Sequence, residues 1–282
     1  MRPVTYGDVL RQGEAFLAGA GIPEPEANAW YLFSFCFDMD RSCFFLRRAD
    51  LADMEKKTEY HNLLAKRAER IPLEHLTRST EFMGLPFFVN EHVLIPRQDT
   101  ECLVEEVLKL CRGKRVLDLC TGSGCIGISL AQLGACSEVT LSDISPEALA
   151  VAGRNVEESG VSVHLVRSDL FAQITGTFDM IVSNPPYIPT EEIRQLMPEV
   201  RDHDPHLALD GGKDGLDFYR RIIREGRAHL ERDGWLCLEI GCSQADAVRN
   251  IMEQAGFSQI RVRQDLAGLD RIVMGRNGGS DV

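Results

Sequence analysis

From residue 96 onward, short apolar runs alternate with helical stretches, and this alternation limits the possible folds more than any other feature of the chain. The runs are Arg115–Leu119, Glu138–Ser142, Ser162–Arg167, Phe178–Ser183, Trp235–Ile240, Gln259–Arg263 and Arg271–Gly275. Strands separated by helices predict an α/β fold, with a mostly parallel sheet covered on both faces. The last two runs lie too close together for a crossover helix, so one of them is expected to run antiparallel. In open sheets of this kind, ligands bind beyond the carboxyl ends of the strands.

The amino-terminal part has a different period. Thr5 with Asp8 has the pattern of a capping box, and Val9, Leu10, Phe16 and Leu17 follow at helix-face spacing. Pro23 and Pro25 open a second helix carrying Trp30, Leu32, Phe33 and Phe37. A third is expected from about Leu51 to Arg70, ended by Pro72. Residues 1–78 therefore read as a small helical domain with its own core and a docking surface for a macromolecular target. Glu81-Phe82-Met83 and Phe87-Phe88-Val89 flank Gly84-Leu85-Pro86 and read as a hairpin, so residues 79–95 are expected to link the helical domain to an α/β domain over 96–282.

Bulk composition removes several classes of function. The net charge of −12 argues against a broad electrostatic grip on nucleic acid, which normally requires a basic surface. Nine cysteines without a Cys-x-x-Cys pair fit reduced thiols rather than a disulfide framework. No apolar stretch is long enough for a membrane span, and the first residues lack the apolar core of a signal peptide. The expectation is a cytoplasmic monomer without membrane or direct nucleic-acid contacts. His203 and His206 beside Asp202 and Asp204 have the composition of a metal cluster but read as a polar lid loop, and no metal is expected. The whole stretch from Ile188 to Asp214 has few regular signals and reads as a lid or binding loop.

Three successive strand ends supply groups for one ligand. Cys120-Thr121-Gly122-Ser123-Gly124 follows the first strand, where glycines permit close backbone approach and the next helix N-terminus favours a negative group. Read as a bare Gly-x-Gly turn, without the third glycine of the dinucleotide spacing, this loop is a weak signal by itself. Asp143 ends the second strand 25 residues after Asp118, a position suited to ribose hydroxyls. Asp169, after the third strand, could accept from an adenine amino group while Leu170 or Phe171 packs on the ring.

The fourth strand ends in Asn184-Pro185-Pro186-Tyr187. The two prolines stop the strand, because neither can donate to a ladder and each restricts its predecessor. Asn184 offers a side-chain carbonyl, Pro185 a backbone carbonyl and Tyr187 a flat ring. Two acceptors beside a ring suit a planar NH2 group that is to be held and attacked.

These segments resemble the class I S-adenosylmethionine-dependent methyltransferases, and within them the glutamine methyltransferases that act on peptide chain release factors. The resemblance covers nearly the whole chain. Beyond the segments above it rests on Ile95-Pro96-Arg97-Gln98-Asp99-Thr100-Glu101, Ala208-Leu209-Asp210-Gly211-Gly212-Lys213-Asp214-Gly215-Leu216, Leu238-Glu239-Ile240-Gly241 and Asp265-Leu266-Ala267-Gly268-Leu269-Asp270-Arg271. It implies a Rossmann-like seven-stranded sheet and methyl transfer from S-adenosylmethionine to the glutamine of a Gly-Gly-Gln loop. It also implies cofactor contacts at Cys120–Gly124, Asp143, Asp169, Leu170 and Asn184, and substrate contacts at Asn184, Pro185, Pro186, Tyr187, Arg97 and Thr100. Cys120 stands where many relatives have glycine, and Leu170 where some have tryptophan. Cys120 is expected to narrow the space around the methionine part of the cofactor, and Leu170 to weaken stacking on adenine. A rival reading, an amino methyltransferase of adenine or guanine, would use the same Asn184–Tyr187 trap on a flipped base.

Overall fold

The computed structural model describes residues 4–278 and divides into two units. The first holds the helices α1 (Tyr6–Gly19), α2 (Pro25–Phe37), α3 (Arg41–Arg47), α4 (Met54–Ala68) and α5 (Leu73–Thr77). Thr5 and Asp8 close a capping box: Asp8 N–H donates to Thr5 Oγ1 at 3.2 Å, and Thr5 N–H to Asp8 Oδ2 at 3.1 Å. Phe33 is at the centre of the core, with the rings of Tyr6, Trp30, Phe37, Phe44 and Tyr60 around it. The sequence reading misses α3 and α5. Neither is long enough to show an apolar period, and α3 is instead started by the Asp40 carboxylate, which accepts from Cys43 N–H at 2.7 Å.

The second unit opens with a hairpin, β1 (Ser79–Phe82) and β2 (Leu85–Phe88), turning on Met83-Gly84. Both turn residues have positive φ (54° and 72°), the geometry that matches strand twist in a two-residue hairpin loop. There follow α6 (Gln98–Leu108), β3 (Arg115–Leu119), α7 (Cys125–Leu133), β4 (Glu138–Asp143), α8 (Pro146–Ser159), β5 (His164–Arg167) and β6 (Phe178–Ser183). The chain then continues through α9 (Pro198–His203), α10 (Asp217–His229), β7 (Leu230–Glu239), α11 (Ala245–Gln254), β8 (Ser258–Gln264) and β9 (Asp270–Arg276).

Seven strands form one sheet in the order β5-β4-β3-β6-β7-β9-β8, and β9 is antiparallel to both neighbours. The α/β expectation therefore holds, including the reversed strand near the carboxyl end. Along β6, Met180 and Val182 enter the core beneath α6 and α7, while Ile181 enters the core of α10 and α11. Both faces of this central strand are buried, as in a sheet covered by crossover helices. Strand order reverses between β3 and β6, where Leu119 pairs with Ser183 and Ser183 Oγ donates to the Leu119 carbonyl at 2.7 Å. The reversal opens a crevice at that strand end.

Residues 188–216 are more ordered than a bare loop. The segment forms α9, which groups with the helices of the first unit. Glu199 accepts there from Arg67 at 3.0 Å and Arg70 at 3.2 Å. Short turns punctuated by Pro198 and Pro205 hide this structure from any periodic pattern. The four residues of the candidate metal cluster take separate partners. His203 meets the Glu69 carbonyl at 3.3 Å, and Asp204 accepts from Arg97 at 2.8 Å. Asp202 pairs with Arg201, and His206 lies 3.9 Å from Asp210. Among the described residues, no helix is long and apolar enough to cross a membrane.

Candidate active site

A cavity of about 350 Å³ opens at the carboxyl ends of β3, β4 and β6, walled entirely by residues of the second unit. Of the residues singled out from sequence, Arg97, Thr100, Cys120, Thr121, Gly122, Ser123, Asp143, Asp169, Leu170, Asn184 and Pro186 line it. Gly124, Pro185 and Tyr187 do not reach its wall.

The loop after β3 is built around Asp118, which is fully buried. Its Oδ2 accepts from the Thr121 hydroxyl at 2.6 Å and from Gly127 N–H at 3.0 Å. Burial pushes this carboxyl up to about 7, against the pull of those two donors. Gly127 corrects the reading of the loop as a bare Gly-x-Gly turn, because Gly122, Gly124 and Gly127 complete the Gly-x-Gly-x-x-Gly spacing. A Cβ on Gly127 would collide with the Leu141 side chain, so the third glycine lets α7 close on the sheet. Asn155 of α8 is a second residue that sequence reasoning missed. It is buried, donates to the Ser123 carbonyl at 2.8 Å, and exchanges hydrogen bonds with the Phe88 backbone at 2.7 and 3.0 Å. Only its neighbours, far apart in sequence, give it a task.

Cys120 has φ of +57°, a left-handed conformation that glycine adopts without penalty. This supplies a backbone reason for the glycine of many relatives, beyond the narrowing of space expected from the side chain. Burial and the Asp143 carboxylate push its thiol well up, so it stays protonated. Leu170 also has positive φ (48°); it lines the cavity, while Phe171 turns into the core and stacks on His229.

Asp143 accepts from Gly122 N–H at 2.9 Å and Ser145 N–H at 3.0 Å. A carboxylate has about four acceptor positions, so lone pairs remain for a ligand. Its pKa is raised by burial, opposed by these backbone donors. Asp169 is exposed and pairs with Arg221 at 2.9 Å. Apolar walls at Ile126, Ala148 and Leu170 with carboxylates at Asp143 and Asp169 suit a nucleoside that also carries positive charge. The residues therefore fit S-adenosylmethionine.

On the other side of the cavity, Asn184 is half-buried and its Nδ2 donates to Thr100 Oγ1 at 3.2 Å. That bond uses one of the two amide N–H groups and fixes the orientation of the carboxamide, with Oδ1 remaining as its acceptor. Tyr187 lies behind, packed on the core of α10 and α11, with its hydroxyl 3.5 Å from Glu239 Oε1. Burial pushes its phenol pKa well above the ordinary value. Its carbonyl accepts from Gln244 Nε2 at 2.9 Å. Residues 209–212 run beside 188–190, with Ile188 N–H donating to Leu209 and Gly211 N–H to Ile188. A Cβ on Gly211 would lie 2.7 Å from Tyr187 Cα, and one on Gly215 would strike the Tyr187 carbonyl. Gly211 and Gly215 are thus explained by contact with Tyr187, whereas Gly212 makes room for the Asp217 side chain. Arg97 is engaged by Asp204, whose side chain is fully buried.

Residues 97–200 match the family model of the methyltransferase small domain, and residues 8–77 that of the PrmC N-terminal domain. A release factor glutamine methyltransferase of Geobacter sulfurreducens is 40% identical over 97% of this chain and 97% of its own length. One from Cereibacter sphaeroides is 41% identical over 95% of this chain and 97% of its own. Among solved structures, a methyltransferase from Pyrococcus furiosus aligns with a TM-score of 0.57 at 20% identity, over 76% of this chain and 98% of that one. A 16S rRNA methyltransferase of T. thermophilus, in complex with AdoMet and guanosine, aligns with a TM-score of 0.51 at 17% identity, over 70% and 49%. These two likenesses are of fold, whereas the relatives sharing two-fifths of their residues over nearly their full length are of one lineage: the chain belongs to the release factor glutamine methyltransferase family.

Proposed function

We propose that this chain transfers a methyl group from S-adenosylmethionine to the side-chain amide nitrogen of the glutamine in the Gly-Gly-Gln loop of class one release factors. The observation that carries this reading is Asn184, whose amide nitrogen is tied to Thr100 and whose carbonyl oxygen is left to a ligand at the cavity wall. The names of the relatives support a release factor as the substrate.

An amide nitrogen is a poor nucleophile, because its lone pair is delocalised into the carbonyl. The task of the chain is to orient that lone pair. Asn184 Oδ1 accepts one N–H of the substrate amide at the cavity wall, the Pro185 carbonyl, set back from that wall, takes the other, Pro186 closes the wall beside them, and Tyr187 supports the plane from behind. As the nitrogen becomes partly positive, both acceptors bind it more strongly than in the ground state, and once the N–C bond to the methyl has formed and the S–C bond has broken, one of the two N–H protons leaves to solvent, giving the neutral methylated amide. S-adenosylmethionine, when bound, supplies the methyl on a sulfonium and hence a neutral leaving group. Cys120–Gly124, Asp143, Asp169, Leu170 and Asn184 would hold it, and Arg97 and Thr100 flank the peptide. Residues 1–78 dock the release factor, 79–95 link, and 96–282 carry out the transfer, in the cytoplasm and as a monomer, without gripping nucleic acid.

The test is transfer of labelled methyl to purified release factor, with the loop glutamine changed to alanine as control. Asn184→Ala is expected to lower kcat about 10²–10³-fold, with cofactor affinity within several-fold of the parent. Label appearing in DNA or RNA and not in release factor would favour the nucleic-acid rival.

A further inference from the structure

The segment Asp265-Leu266-Ala267-Gly268-Leu269-Asp270-Arg271 lines no part of the cavity, and the proposed transfer gives it no task. It joins β8 to β9 through a closed turn. The Asp265 side chain is 2% exposed, and its Oδ1 accepts from Ala267 N–H at 2.9 Å and Leu269 N–H at 3.0 Å. Asp265 N–H donates to the Leu269 carbonyl at 2.9 Å, and Gly268, with φ of +79°, closes the turn without strain. The other carboxylate oxygen, Oδ2, accepts from Arg271 Nε at 3.2 Å and Nη2 at 3.0 Å. Two donors on one oxygen limit the rotation of the guanidinium, whose fork is itself rigid.

The guanidinium is only 12% exposed and touches two more elements. Its Nη1 donates to the Ile240 carbonyl, just past the end of β7, at 3.4 Å. Its Nη2 lies 3.2 Å from Asp99 Oδ2. Asp99 is in the first turn of α6, directly before Thr100, and that helix starts at Arg97 without a side-chain cap. Thr100 Oγ1 in turn accepts from Asn184 Nδ2 at 3.2 Å. We propose that Arg271 is a positioning residue for the transfer: it clamps the first turn of α6 to the β8–β9 turn and to the end of β7, and so holds the Thr100 hydroxyl where it orients the Asn184 carboxamide. Asp265 and Gly268 build the turn that aims Arg271, and Asp99 receives it.

Stability and rate respond differently to such a clamp. The Asp99 side chain is 53% exposed, and an ion pair so open to water adds little to folding. A displacement of about 1 Å in a positioned group, by contrast, can cost about 10²-fold in rate. Loss of the clamp is therefore expected to lower kcat without unfolding the chain.

The experiment measures kcat, KM for release factor, cofactor affinity and melting temperature for wild type, Asp99→Ala, Arg271→Met, Arg271→Lys, Thr100→Val and the Asp99→Ala/Thr100→Val pair. Asp99→Ala and Arg271→Met are each expected to lose about tenfold in kcat, with KM and cofactor affinity little changed. Asp99→Ala should melt close to the wild type. Arg271→Lys keeps the charge without the fork, so its kcat should fall between those of wild type and Arg271→Met. The double variant is expected to lose no more than the worse of its two singles. These rates rest on the methyl-transfer reading above, whereas the nuclear magnetic resonance signal of the Asn184 side-chain amide reads the clamp without turnover. That signal, identified by its loss in Asn184→Ala, is expected to shift and to exchange faster with solvent in Asp99→Ala. A wild-type kcat in Asp99→Ala, additive losses in the pair, or an unmoved Asn184 signal would overturn the clamp. Should Arg271→Met fail to fold, Asp99→Ala and its pair with Thr100→Val decide alone. A wild type that leaves release factor unmethylated, while the Asn184 signal responds as expected, would overturn the proposed function and support the clamp.

Discussion

Two carboxyls, Asp118 and Glu239, are buried at strand ends where water cannot stabilise their charge. For Glu239 the ordinary value near 4.5 rises to about 7 in the folded chain. The sign of its effect on stability follows. Below about pH 4.5 the group is protonated whether the chain is folded or not. Between there and about 7 the native state keeps a proton that the unfolded chain releases, and stability is lost as pH rises through this window. Glu239→Gln has no such proton, so the wild type should lose stability relative to this variant between pH 5 and pH 8. Thermal melts of both proteins at the two pH values measure the difference directly, and a constant gap would mean that Glu239 is ionised at both. At this scale the sequence is legible where chemistry is local. Asn184-Pro185-Pro186-Tyr187 stands out because the residues themselves carry two acceptors and stop the strand, and the fold places Asn184 and Pro186 at the cavity wall. Gly127 was equally visible in its spacing. Asn155 was not, because the Ser123 and Phe88 backbones it bonds are brought to it only by the fold.

At the scale of elements, the central strands are legible because they are apolar runs of the length a covered sheet needs, and β3 and β6 match the expected bounds, whereas the edge strands β5 and β8 are largely exposed and show only a short or alternating pattern. β7 begins at Leu230, earlier than the apolar run, because Leu230–Asp233 pair or turn without a continuous apolar pattern. The short helices α3, α5 and α9 escape for the opposite reason: at seven, five and six residues they have too few turns to show a period. The 208–216 segment shows how an element without regular structure can still be constrained. Gly215 has φ of +73° and lies against the Tyr187 carbonyl, and Gln244 Nε2 reaches both carbonyls, at 3.3 Å for Gly215 and 2.9 Å for Tyr187. A side chain there must displace Tyr187 or unwind the segment. Gly215→Ala is therefore expected to lower kcat by at least tenfold, since small misplacements of positioned groups have large effects on rate. Cofactor affinity should stay close to that of the parent, because the Cys120–Gly124 loop is not touched. Steady-state kinetics with calorimetric titration of the cofactor would check both, and an unchanged kcat would show that Tyr187 tolerates the shift.

For the molecule as a whole, the presence of two cores explains why the sequence shows two periods. The helical unit buries Val9, Leu17, Leu32, Phe33 and Tyr60 around its own aromatic centre, and the α/β unit closes both faces of its sheet without them. The residues that line the cavity all belong to the α/β unit. What the helical unit does offer is an exposed apolar stretch, Phe45, Leu46, Leu51 and Met54, with Leu46 87% exposed, beside Arg47 and Arg48 in a chain of net charge −12. Large apolar side chains left in water beside basic ones are the composition of a docking surface. Leu46 contributes to no buried core, so replacing it by a charged residue should leave the fold intact. Leu46→Asp is accordingly expected to raise the KM for release factor several-fold, with kcat and cofactor affinity unchanged. The same variant assayed at saturating release factor should run at the wild-type rate. If KM stays at the wild-type value in Leu46→Asp and again in Phe45→Ser, the helical unit stabilises the enzyme without touching the release factor through this face, and docking must be sought on the α/β unit beside Arg97.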